Sequence, residues 1–172
     1  MSEIIIFLDM DGVIADFESH AHAMNKFNTD GSLNRDALDY TWWSTIPIFD
    51  GAKEFYAELK ALSTVKFLTG PMVMSDSHHG KADWIINFSP EGKWGLKDLI
   101  ICPASNKHYL ASPTRLLIDD MPKNIKAWEA AGGVAILHTG DFAKTLAQVK
   151  RFMQQKNTLI PENKNVDNAP KK

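Results

Sequence analysis

Apolar residues cluster in short runs along this chain, and a polar or glycine-containing turn closes each run. Residues 3–9 carry Ile4-Ile5-Ile6-Phe7-Leu8 without polar alternation, the pattern of a strand buried on both faces of a parallel sheet. Four more strands are predicted at residues 65–68, 98–102, 115–118 and 134–137. They end at Thr69-Gly70-Pro71, at Pro103, at Asp119-Asp120 and beside His138. Helical spacing appears between them. Residues 15–27 and 34–43 read as helical pieces separated by the Asp30-Gly31 turn. Residues 51–62 place Phe55, Leu59 and Leu62 on one stripe, with Asp50 as the candidate cap. Residues 80–88 carry Trp84, Ile85 and Phe88. Pro122 opens a helix that stops at Gly132-Gly133, and residues 142–153 form the last.

Strands alternating with helices predict an α/β domain with a mainly parallel, Rossmann-like sheet. The stretch from about residue 12 to residue 64 exceeds one crossover helix. It predicts a small helical cap inserted after the first strand. The expected division is a core of residues 1–14 and 65–155, a cap with its return helix at 15–64, and a disordered tail at 156–172. That tail is rich in Asn, Lys and Pro and holds few large apolar residues.

Composition narrows the setting. At 172 residues the chain is expected to be one domain with a substantial core. A single cysteine, Cys102, excludes an internal disulfide and points to a reducing, cytoplasmic setting. The net charge of −2 offers no global positive field for a long nucleic acid. No run approaches the roughly 20 apolar residues of a membrane span. The acidic Glu3 before the first apolar run is unlike a signal peptide.

The chemistry-bearing residues sit at strand ends. Asp9 and Asp11 follow the first strand two residues apart, so both approach the carboxyl edge of the sheet, where open α/β sheets bind ligands. Gly12 lets the chain turn there. Asp119-Asp120 ends the fourth strand in the same way, and two acidic pairs at one edge call for a hard cation such as Mg²⁺. Thr69 and Gly70 end the second strand with a hydroxyl and a backbone N–H suited to a phosphate oxygen. Lys107, between strands three and four, supplies a compact positive charge, with Lys81 as runner-up for a phosphate contact. Carboxylates, Thr and Lys in this order describe a phosphoryl-transfer site.

This set resembles the haloacid dehalogenase superfamily, whose phosphatases carry Asp-x-Asp, then Thr or Ser, then Lys, then an acidic pair. The resemblance implies sheet order 5-4-1-2-3 with the first strand central. More narrowly, residues 9–18 (DMDGVIADFE), Trp43 with residues 47–52 (PIFDGA), residues 81–88 and residues 117–120 (LIDD) resemble the 5′(3′)-deoxyribonucleotidases. That likeness implies an Mg²⁺-dependent phosphomonoesterase acting on (deoxy)nucleoside monophosphates. Asp9 would be the nucleophile and Asp11 the acid and base. Mg²⁺ would be held by Asp9, the Asp11 carbonyl and one of Asp119 and Asp120, with Asp120 favoured. Phe17, Trp43 and Phe49 would line the base and sugar pocket. The expected partner is a small-molecule nucleotide, with no membrane and no long nucleic acid, and a homodimer is in keeping with the family. Two departures stand out: a short cap, and Ser105 where many members carry Arg.

Rival readings keep the same residues. One is a phosphatase of another small ester or of a nucleic-acid 3′-phosphate end. Another is a receiver-like module, which would need an Asp after the third strand, where Cys102-Pro103 stands. Trp84, Trp94 and Trp128 read as packing residues. Of Trp42 and Trp43, one is expected to line the cleft or cover the cap. His78-His79 reads as a solvated loop pair, His138 as a residue near the site edge, and Cys102 as a small core hydrophobe.

Overall fold

The computed structural model describes residues 3–158. Its strands are β1 (Ile5–Leu8), β2 (Thr64–Thr69), β3 (Leu99–Ile101), β4 (Arg115–Asp119) and β5 (Val134–Leu137). All pair in parallel in the order β3-β2-β1-β4-β5, which is the 5-4-1-2-3 order expected, read from the other edge. The unbroken apolar run explains why β1 is central. Successive side chains point to opposite faces, and both faces are covered. Ile6 and Leu8 enter one apolar cluster and Phe7 the other.

The helices are α1 (Phe17–Ala23), α2 (Tyr40–Ser44), α3 (Ala52–Leu62), α4 (Ser75–Phe88), α5 (Pro122–Ala130) and α6 (Phe142–Thr158). Phe55 and Leu59 of α3, Trp84 and Ile85 of α4 and Val149 of α6 bury the face of Ile6 and Leu8. On the other face Trp128 of α5 packs on Phe7, and its indole N–H donates to the Arg115 carbonyl at 3.3 Å. Three short 3-10 turns, Arg35–Ala37, Gly92–Asp98 and Ala104–Leu110, complete the elements.

Several expectations change. The first helix is shorter, because Asn25 adopts a left-handed conformation (φ 50°) and Phe27 then bridges to Leu33. The piece at 34–43 splits, because the Asp39 side chain caps α2 through the Trp42 N–H at 2.8 Å. Asp50 is not the cap of α3; Gly51 holds that position at φ 83°. Helix α4 begins five residues earlier than expected, at Ser75, so His78 and His79 lie on a helix rather than in a loop. The His78 ring meets the Met74 carbonyl at 3.0 Å, and the His79 ring lies tilted against Tyr40, centroids 4.6 Å apart. Trp84 and Trp128 are buried, whereas Trp94 is 60% exposed, with Lys97 over its ring. Helix α6 continues to Thr158, beyond the expected start of the tail; residues 159–172 lie outside the described residues.

Candidate active site

Asp9 follows β1 and remains in register with β4, its N–H donating to the Ile118 carbonyl at 2.9 Å. Its side chain accepts from the Met10 N–H at 2.8 Å and lies 2.8 Å from the Lys107 ammonium. Lys107 projects from the 3-10 turn after β3 and also meets Asp119 at 2.7 Å. Asp119, the last residue of β4, is fully buried. The Asn124 amide donates to both of its oxygens at 2.9 and 3.0 Å, and the Met121 N–H donates to one at 2.9 Å. The ends of the paired strands β1 and β4 and the turn after β3 thus bring two carboxylates and a lysine to one point.

The electrostatics there are crowded. Burial pushes the Asp9 carboxyl well above the ordinary carboxylate range, and the charges of Asp119 and Asp11 add to this against the opposing pull of Lys107. Burial, then Asp119, raises Asp120 to about 6. For Lys107 burial works to lower the pKa, and the Asp9 and Asp119 charges overcome it and hold the ammonium above its ordinary value. One ammonium faces more negative charge than it neutralises.

Asp120 lies in the turn after β4, against Gly12. At Gly12 φ is +71°, and a Cβ there would collide with the Asp120 carboxylate, so this crossing of the two strand-end turns requires glycine. Asp11 turns away from the Asp9 cluster. Its carboxylate pairs with Lys81, a fully buried lysine on α4, and its other oxygen is buried with no hydrogen-bond partner. Lys81 also donates to the Thr69 hydroxyl at 3.0 Å.

A cavity of about 490 Å³ opens over these residues. Asp9, Asp11, Asp120 and Lys107 lie along its polar side, while Phe17, Ala21, Phe27, Leu33, Trp43 and Met72 form an apolar wall. Gly70 also lines it, with Ala104 of the Lys107 turn packed against it. Thr69 is fully buried beneath Lys81 and does not reach the cavity surface. Trp42 and Trp43 are both buried and meet edge to face at 4.9 Å, and it is Trp43 that reaches the cavity. Phe49 is not brought to this cavity. Its N–H donates to the Ile14 carbonyl at 3.1 Å, which turns it toward a second cavity lined by Asp16, Asp50, His138 and Phe142. Ser105 is exposed and bonds its neighbour Asn106. Cys102 is half-buried against the Phe7 cluster.

Residues that sequence reasoning passed over also stand here. Asn124 braces Asp119, and Met121 and Glu18 line the cavity. Asn124 had a signal of a kind, since it lies in the first turn of a helix that begins two residues after the acidic pair. Lys81, expected as the runner-up for a phosphate contact, carried a clearer signal of a buried role. It falls on a helical stripe with Ser77, Trp84, Ile85 and Phe88, all buried, where a lysine has no place unless paired.

Asp9, Asp119 and Asp120 each offer a carboxylate oxygen within 4.8 Å of the other two. An all-oxygen set with two raised carboxyls and one compensating ammonium suits a hard divalent cation, and the residues fit Mg²⁺. The Asp11 carboxylate stands outside this set, on Lys81.

No family model matches the sequence, and a search of curated proteins found no match. Solved structures do resemble it. A haloacid dehalogenase-like family hydrolase from Xanthomonas campestris aligns with a TM-score of 0.61 at 13% identity, covering 92% of this chain and 95% of that one. A protein described as a haloacid dehalogenase-like hydrolase, from Burkholderia xenovorans, aligns at 0.57 and 13%, covering 88% and 99%. The protein YfnB from Bacillus subtilis, described as a HAD-hydrolase and bound to magnesium, aligns at 0.50 and 13%, covering 89% and 99%. At this identity the likeness concerns the fold: the chain has the α/β fold of haloacid dehalogenase-like hydrolases.

Proposed function

We propose that this chain, built on the fold of haloacid dehalogenase-like hydrolases, is an Mg²⁺-dependent phosphomonoesterase of (deoxy)nucleoside monophosphates. The observation that carries the reading is the placement of Asp9. It sits at the foot of a cavity with Lys107 at 2.8 Å, a carboxylate set fit for a cation beside it, and an aromatic wall opposite. Phe17 and Trp43 belong to that wall, and stacking of a base on an aromatic ring is worth about 1–3 kcal/mol. The helical segment around α1 and α2 then acts as the cap.

In this mechanism an Asp9 oxygen bonds to phosphorus as the ester P–O bond breaks. The bond's electron pair stays on the leaving oxygen, which takes a proton from Asp11. Asp11 then accepts a proton from water as the water oxygen bonds to phosphorus. The P–O bond to Asp9 breaks, which restores the carboxylate and frees inorganic phosphate. Lys107 steadies Asp9 and neutralises phosphoryl charge throughout. Mg²⁺, held by Asp9, Asp119 and Asp120, would supply further neutralisation of the phosphoryl oxygens.

The test is phosphate release from a panel of 5′- and 3′-mono(deoxy)nucleotides and sugar phosphates, with Mg²⁺, with chelator, and with Asp9→Asn. Selective release from nucleotides is expected, with a loss of at least about 10³-fold on removing the nucleophile. Release from sugar phosphates alone would keep the chemistry and discard the nucleotide. Full activity of D9N would sink the mechanism.

A further inference from the structure

We propose that Lys81 is a positioning residue for Asp11, and that it makes no contact with the phosphate. The inference rests on the phosphomonoesterase reading above. Lys81 is fully buried and is not among the residues that line the cavity. An ammonium has three N–H donors. One goes to the Asp11 carboxylate and one to the Thr69 hydroxyl at 3.0 Å. The remaining side of the ammonium is closed by the Met10 sulfur at 3.9 Å and by the Trp43 ring, whose centroid lies 4.8 Å away. The phosphate finds no open donor here.

What Lys81 does control is the Asp11 rotamer. The side chain ties down one Asp11 oxygen, and the other is buried without a partner, so the carboxyl has a single pose in which to give and take a proton. A catalytic acid held in one pose acts with the advantage of an intramolecular group. The root of Lys81 is itself fixed. A Cβ on the adjacent Gly80 would overlap the Trp43 side chain and come within 3.0 Å of the Tyr40 carbonyl, so α4 runs hard against α2. Trp43 therefore does two things: it walls the cavity and it covers the lysine that holds Asp11.

The experiment compares wild type with Lys81→Met on the best mononucleotide and on p-nitrophenyl phosphate, and measures inhibition by inorganic phosphate. Expected for K81M is a kcat on the nucleotide lower by roughly 10²-fold, the range of a lost general acid, with KM and the phosphate Ki within about threefold of wild type. The first-turnover burst of p-nitrophenolate, which departs without a proton, should fall far less than the nucleotide rate. K81Q, which keeps an N–H donor, should recover part of the nucleotide kcat, and it carries the same comparison if K81M does not fold. A phosphate Ki raised about tenfold or more, with both esters losing equally, would make Lys81 a phosphate ligand and overturn the proposal. Wild type inactive on both esters would remove the phosphomonoesterase reading and this inference with it.

Discussion

Single side chains at this site are legible to different degrees, and charge explains why. Asp9, Asp11 and the Asp119-Asp120 pair declare themselves, because carboxylates straight after buried strands have no packing role there. Lys107 is known only from its place between two strands, and the structure shows it bridging Asp9 and Asp119 at 2.8 and 2.7 Å. His138 was expected near the site edge. It is buried, bonded to Thr145 at 2.9 Å, and stacked on Phe142. Burial holds its pKa below the ordinary 6.5, with Asp141 pulling the other way. A histidine depressed in the folded state contributes stability that is present above the unfolded pKa and lost as pH falls through the folded one. Asp120, raised to about 6, acts in the opposite sense and loses its contribution as pH rises toward that value. The comparison that isolates His138 is the urea stability of wild type against His138→Gln. Between about pH 7.5 and about pH 5.5, wild type should lose more stability than the variant.

At the scale of elements, apolar periodicity located every strand, and the boundaries that moved were set by caps and turns. Asp39 starts α2 after the 3-10 turn has ended at Leu38, and Asn25 ends α1. The early start of α4 adds a first turn that ties to its surroundings, where Asp76 accepts from the Tyr40 N–H at 3.1 Å and the Ser77 hydroxyl from the Met72 N–H at 2.9 Å. The crossing of α2 and α4 is set by a missing side chain, since a Cβ at Gly80 has no room beside Trp43. Gly80→Ala is expected to cost about 1–3 kcal/mol by overpacking. Its kcat on the preferred ester should fall as well, because the displaced Trp43 both lines the cavity and covers Lys81. Chemical denaturation and steady-state kinetics on the one variant check both. A stable variant with reduced kcat would still place the fault at Lys81, whereas a stable and fully active one would show that the helix pair tolerates the shift.

For the whole molecule the decisive quantity is the balance of charge at the sheet edge. Asp9, Asp119 and Asp120 converge on Lys107, and the folded chain holds them together against their repulsion. A cation that binds the folded form and not the unfolded one stabilises it by mass action, about 2.7 kcal/mol at a hundredfold excess over Kd. For a chain of this size that is a rise in Tm of roughly 5–10 °C. Thermal melts with Mg²⁺ and with chelator should show the rise, and Asp120→Asn should remove most of it. An equal rise in D120N would place the cation elsewhere.

The sequence by itself determined the sheet, its parallel sense and the order of chemical groups along it. Unbroken apolar runs demand cover on both faces, and polar residues directly after them must emerge at one edge. It also pointed to four aspartates at strand ends on that edge. What only the tertiary structure decided is how they divide. Asp11 goes to Lys81 while Asp9 and Asp119 share Lys107. Phe17 and Trp43 wall the cavity while Phe49 faces another. Those partitions depend on which helix lies over which strand end, and on contacts between residues tens of positions apart. Local periodicity carries no record of them, because the pairing of a buried lysine with one carboxylate or another is settled by distance and burial after the layers have packed.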